Sequence, residues 1–233
     1  MFPFCNTIYI SSTIIGIYIT LKVYFAWREE KNELLGYLFK TALLATAYFL
    51  LSSIPGVLTK DPTLSEIFYI LGWIPFYLTF FYFSRLTIYF WKLDKLKKFL
   101  SAIIIFFVLF TTFFSFYYFT PAEIRNHNNF SFCYERSPSW NLTLSGTMVT
   151  ILLLSNSFMF LLGGSKSKEV GVRKRAFLIG MGLFLLAFSS FAKYVLAPNW
   201  RETEVLIFMA GPFLLIGVVM IYLGIQQNIN KAK

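Results

Sequence analysis

The sequence predicts an all-α membrane protein: a bundle of seven transmembrane helices, N-terminus outside and C-terminus in the cytoplasm. Three observations predict it. The chain of 233 residues is 57% apolar and only 14% charged, with mean hydropathy +0.64, whereas soluble domains carry about a quarter charged residues. Apolar runs bounded by charge, Pro or Gly fall at 5–27, 36–58, 67–91, 99–120, 142–163, 176–197 and 204–225, each long enough for the ~20 residues that a bilayer core of ~30 Å requires. The basic residues also collect in alternate loops. Only Lys60, Arg125, Arg136, Lys193 and Arg201 of the 21 Lys and Arg lie on the side of the even loops, and the basic side of a membrane protein is cytoplasmic. The runs show no two-residue alternation, so helices rather than barrel strands satisfy the backbone in lipid. They account for nearly all of the chain, which reads as a single seven-helix domain over 1–233.

The elements follow in order. Span one, 5–27, begins after Met1-Phe2-Pro3-Phe4, which lacks the basic region of a cleavable signal, and ends at the charged turn Arg28-Glu29-Glu30-Lys31. Span two, 36–58, is Ala/Leu-rich. In span three, 67–91, Tyr69, Trp73, Tyr77 and Phe80 recur at helical spacing on one face, with Pro75 beside them to bend the axis. The basic connection 92–98, with Lys95, Lys97 and Lys98, leads to span four, 99–120. The longest loop, 121–141, lies outside and contains Pro121, His127, Cys133 and Pro138. Span five, 142–163, carries Asn156 between Ser155 and Ser157, too deep to reach water. The second basic loop, 164–175, holds Lys166, Lys168, Arg173, Lys174 and Arg175, and precedes span six, 176–197, with Lys193 near its outer end. Span seven, 204–225, contains Gly211-Pro212. An internal repeat links Lys40-Thr41-Ala42-Leu43 through Gly72-Trp73-Ile74-Pro75-Phe76 with Lys174-Arg175-Ala176-Phe177 through Gly211-Pro212-Phe213, pairing spans two and three with six and seven.

Chemistry is sparse along this pattern. All eleven acidic residues fall in loops or at span edges, so neither paired intramembrane aspartates nor the buried carboxylates of proton relays are available. With one histidine and two cysteines, a catalytic zinc held by three protein ligands is not expected, and Gly163-Gly164-Ser165-Lys166-Ser167 lacks the spacing of a phosphate-binding loop. The expectation is a protein without enzymatic activity, metal or cofactor. The net charge of +10 is spread over alternate loops rather than one aromatic-interleaved surface, which argues against nucleic acid. Lys22 and Arg85 lie where a long side chain snorkels to the cytoplasmic interface. Lys193 either snorkels outward or pairs with Glu66 or Glu204. Asn156 is either an interhelical hydrogen-bonding group or, with Trp73, Tyr77 and Lys193, part of a ligand pocket. Cys5 and Cys133 both fall outside, where a disulfide is one reading and a thiol buried at the start of span one the other. Asn129-Phe130-Ser131 and Asn141-Leu142-Thr143 match the glycosylation sequon on that face.

Three stretches carry a family resemblance: Arg28 to Ala47, Leu71-Gly72-Trp73-Ile74-Pro75-Phe76, and Arg173-Lys174-Arg175-Ala176-Phe177-Leu178-Ile179-Gly180. In these the chain resembles the seven-helix N-terminal sensor region of prokaryotic histidine kinases. The resemblance implies a plasma-membrane sensor that passes a signal inward. The sequence given stops at Lys233 without a kinase domain, so signalling is expected to use a separate cytoplasmic protein. Membrane lipids and that protein are the expected partners, meeting the basic loops at 95–98 and 166–175. Retinal-binding proteins need a lysine in span seven, and 204–225 has none. The alternatives are a small-solute transporter with helices arranged three-plus-one-plus-three, and a structural subunit of a membrane complex.

Overall fold

A computed structural model describes residues 2–55, 57–91, 96–126, 131–135, 140–196 and 203–229. The chain divides into two compact units, Met1–Leu142 and Thr143–Lys233, each described by itself below.

The first unit contains β1 (Phe2–Pro3), α1 (Phe4–Glu30), α2 (Glu33–Ser53), α3 (Pro62–Trp91), α4 (Leu96–Tyr117), β2 (Glu123–Asn126) and β3 (Ser131–Glu135). α1 ends where Lys31 turns left-handed (φ 48°) and donates its N–H to the Trp27 carbonyl at 2.7 Å. Asn32 then caps α2, its side-chain oxygen accepting from Leu34 N–H at 2.9 Å. Two residues therefore reverse the chain. The sequence expectation of a second span reaching 58 is corrected to Ser53, because the helix stops just before Pro55. α3 likewise starts earlier than 67. Pro62 opens the helix, and Asp61 Oδ1 accepts from Thr63 N–H at 2.8 Å.

Neighbouring helices of this unit pack antiparallel. Gly16 admits Thr46, whose Oγ1 lies 3.1 Å from Thr20 Oγ1, and the Trp27 indole stacks on Phe39 at 5.5 Å. α2 meets α3 through Tyr48 and Phe76, ring centroids 4.4 Å apart, and through Gly72 against Ser52. α3 is bonded to α4 at two levels, by Tyr77 with Thr111 and by Arg85 with Ser101. On α4 a stripe of Ile104, Thr111 and Ser115 is buried, while Phe106, Leu109, Phe113 and Tyr117 are exposed. An exposed apolar stripe of this kind suits lipid contact.

Within 121–141, the longest loop, the chain forms two short strands. β2 and β3 pair antiparallel, with β1 parallel on the far side of β3 in the order β1-β3-β2. The sheet is tied to the helices where Ala122 N–H donates to the Pro62 carbonyl at 3.1 Å and Tyr69 packs on Ala122.

The second unit comprises α5 (Trp140–Lys166), α6 (Val170–Phe191), a π-helical turn (Ala192–Leu196) and α7 (Thr203–Ile229). The connection from α5 to α6 is only 167–169, closed by Ser167 N–H on the Gly164 carbonyl. α6 thus begins six residues before the expected 176, and Arg173, Lys174 and Arg175 lie on a helix rather than in a loop. α5 crosses α6 with Gly164 against Ala176 and Gly180 against Leu161.

Six helices, α1 to α6, are long and apolar enough to cross a membrane; in α7 the described apolar stretch is Ala210–Ile225. This is the architecture of an integral membrane protein. Along these helices Thr13, Thr41, Thr46, Thr79, Thr147 and Thr150 donate to the carbonyl four residues back, which satisfies the hydroxyl without water.

Candidate functional site: a buried aromatic seam and an exposed basic segment

The helical spacing of Tyr69, Trp73, Tyr77 and Phe80 places a stripe toward the interior of the first unit. Trp73 (3% exposed), Tyr77 (0%) and Phe80 (4%) are buried, and Tyr69 is half-buried against Ala122. Trp73 stacks on Tyr77 at 5.7 Å, and Phe76 stands edge-on to Phe80 at 5.2 Å. Pro75 cannot donate to the Leu71 carbonyl, which removes one rung of α3 at this level, while the Thr79 hydroxyl donates to the Pro75 carbonyl at 2.8 Å.

A hydroxyl meets the rings from α4. Thr111 Oγ1 donates to Tyr77 Oη at 3.2 Å across the α3–α4 contact. One turn along α4 on the same face is Ser115. The helices run antiparallel, so it sits at the level of Trp73. Its Oγ is buried and without a hydrogen-bond partner among the described residues, as are Ser12 Oγ on α1 and Ser65 Oγ on α3. Glu66, which the sequence places at a span edge, is 3% exposed, on an α3 that begins a turn earlier than the apolar run. The sequence reading missed these hydroxyls. The signal available was the pair Thr111 and Ser115, four residues apart in an otherwise Phe-rich run.

Arg85 does more than reach toward the interface. Its guanidinium lies 5.0 Å from the Phe81 ring and donates to Ser101 Oγ at 2.8 Å, tying α3 to α4. Lys40 Nζ sits over the Tyr82 ring at 5.3 Å, and Lys22 Nζ over Tyr18 at 5.9 Å.

In the second unit Asn156 is 5% exposed and its amide donates to the Leu152 carbonyl of its own helix at 2.8 Å. A bond that crosses to α6 comes from its neighbour: Ser157 Oγ donates to the Gly180 carbonyl at 2.7 Å. Trp73 and Tyr77 thus belong to the first unit and Asn156 to the second. The side chains of Lys193, Lys97, Cys5 and Cys133 lie outside the described residues, as does Lys95 entirely.

α6 and α7 meet backbone to backbone. A methyl placed on Gly182 would stand 2.6 Å from the Gly217 carbonyl oxygen, and one on Gly217 would stand 2.8 Å from that of Gly182. Ser189 Oγ donates to the Ala210 carbonyl at 2.8 Å farther along, and Gly224 faces Arg175 and Ile179 at the other end. The basic segment rides on this pair. Lys166, Lys168, Arg173 and Lys174 are exposed, and Arg175 is half-buried with its Nε shielded and without a hydrogen-bond partner among the described residues. Lys98, in the first turn of α4, is exposed as well.

Comparison with protein families, curated proteins and solved structures found no match. The function is therefore read from the geometry alone.

Proposed function

We propose that the chain is a non-enzymatic seven-helix sensory or accessory module of the plasma membrane that signals to a separate cytoplasmic protein. All seven helices cross the bilayer, the N-terminus lies outside, and the basic turn between α5 and α6 faces the cytoplasm. The observation that carries this reading is the continuity of the basic segment with α6. Arg173, Lys174 and Arg175 occupy the first turns of a helix whose Gly182 rests directly on α7. A rigid helix transmits displacement along its length, so a shift of α6 against α7 moves these cations by a similar amount. Input would be a molecule bound within one unit, at Trp73, Tyr77 and Ser115 of the first or at Asn156 of the second, whose polar atoms offer differential contacts. Output would be the changed presentation of Lys166, Lys168, Arg173, Lys174 and Arg175 to an acidic surface.

A photo-crosslinking side chain at position 168 in native membranes tests the output. One reproducible soluble protein is expected as adduct, and it should vanish when Lys166, Arg173, Lys174 and Arg175 are replaced by Gln with insertion intact. Adducts to lipid only would overturn the reading.

A small-solute carrier is the second reading, favoured by the division into α1–α4 and α5–α7. Against it, the hairpins that the internal repeat equates are packed differently: rings separate α2 from α3 at Tyr48 and Phe76, while α6 and α7 touch through Gly182 and Gly217. Reproducible solute flux in proteoliposomes would select the carrier.

A further inference from the structure

The small sheet brings together the two segments that carry the cysteines of the chain. β1 runs parallel to β3, with Phe2 opposite Ser131 and Pro3 opposite Phe132. Cys5 follows Pro3 by two residues, in the first turn of α1, and Cys133 follows Phe132 by one residue in β3. Two helical residues advance the chain ~3 Å and one strand residue ~3.3 Å. The two advances match, and α1 lies against β3. Paired strands stand about 4.8 Å apart, within the Cα separation of roughly 4.4–6.8 Å that a disulfide spans. A chain with two cysteines and no others has one possible intramolecular pairing.

We infer that Cys5 and Cys133 form an intramolecular disulfide that clasps the start of α1 to the sheet. The step is an oxidation. Two thiols lose two protons and two electrons and form one S–S bond. The electrons pass by thiol–disulfide exchange to a disulfide-bearing oxidant, which leaves as a dithiol. The clasp joins parts far apart in sequence. β3 pairs with β2, placing Arg125 opposite Cys133, and β2 follows Ala122, whose N–H is bonded to the Pro62 carbonyl. The crosslink therefore fixes the start of α1 to the strands that follow α4 and, through Ala122, to the start of α3, beside the buried Ser65 and Glu66. Persistence of the bond requires an oxidising compartment. The sheet would then lie on the extracytoplasmic side, in keeping with the cytoplasmic placement of the basic turns. The inference does not depend on the sensory reading.

Full-length protein in native membranes is dissolved directly in SDS with methoxy-polyethylene-glycol maleimide, with or without prior dithiothreitol, and read by gel shift. The wild-type chain should migrate as an unmodified monomer without reductant and carry two adducts after reduction. Cys5→Ser and Cys133→Ser should each carry one adduct without reductant, because each frees the partner thiol. Reading the denatured chain makes the result independent of whether the variants fold. Two adducts on the unreduced wild-type chain, or a reductant-sensitive dimer in place of the protected monomer, would overturn the inference.

Discussion

Lys31 is the residue whose backbone works against its side chain. It turns left-handed between α1 and α2, a conformation that costs a residue with a Cβ about 1–2 kcal/mol. Glycine relieves that cost and gives back part of it through the larger freedom of the unfolded chain. Lys31→Gly is expected to raise stability by about 0.5–1 kcal/mol. Asn32→Ala next to it should lower stability by about 1 kcal/mol through loss of the cap on Leu34. Unfolding in detergent, followed by circular dichroism, would check both, and equal effects of the two would refute the turn geometry. Tyr77 offers a second test. Its oxygen accepts from Thr111, which is 1% exposed, so Tyr77→Phe removes the acceptor of a buried bond between the two helices. A double-mutant cycle with Thr111→Val should give a coupling of about 0.6–1 kcal/mol, and zero coupling would show that the pair does not hold α3 to α4.

Two helix contacts that look alike in sequence, each a glycine in a greasy run, differ once packed. At Gly72 an added methyl meets Tyr48, Leu51 and Ser52 at 3.7–3.8 Å, ordinary contact distances. At Gly182 it meets the Gly217 carbonyl at 2.6 Å, and a carbonyl in a helix cannot step aside. Gly72→Ala is expected to be neutral or stabilising by up to about 1 kcal/mol, through better helix propensity. Gly182→Ala should cost about 1–3 kcal/mol as α6 is pushed off α7. Parallel denaturation of the two variants checks the contrast; equal stabilities would mean that the α6–α7 seam is not close-packed. If α6 carries the basic segment as proposed, Gly182→Ala should also change crosslinking from position 168 while leaving membrane insertion unaltered.

At the scale of the whole molecule the testable quantity is topology. Reporter fusions after Lys233 and within the 167–169 turn should both read cytoplasmic, and fusions in the 127–130 segment extracytoplasmic; an outer C-terminus would overturn the orientation and the proposed output with it. Much of the architecture was legible beforehand. The helices lie where continuous apolar runs lie, because a bilayer forces every backbone group to bond within its own helix. That Trp73, Tyr77 and Phe80 share one face was legible too, because it depends only on helical period; that the face turns inward was not, because lipid and protein interior are both apolar. Boundaries were less so. Caps such as Asp61 and Asn32 are polar and sit outside the runs that hydropathy detects, and the helical Arg173–Arg175 looked like a loop because charge hides helix from an apolar window. By itself the sequence determined a helical membrane protein and the face that Trp73, Tyr77 and Phe80 share on α3, since both follow from local composition and period. Only the tertiary structure decided that Thr111 meets Tyr77, that Gly182 rests on Gly217, and that the start of α1 comes against β3. Each joins residues distant in the chain, and no local periodicity specifies which distant partner a face will meet.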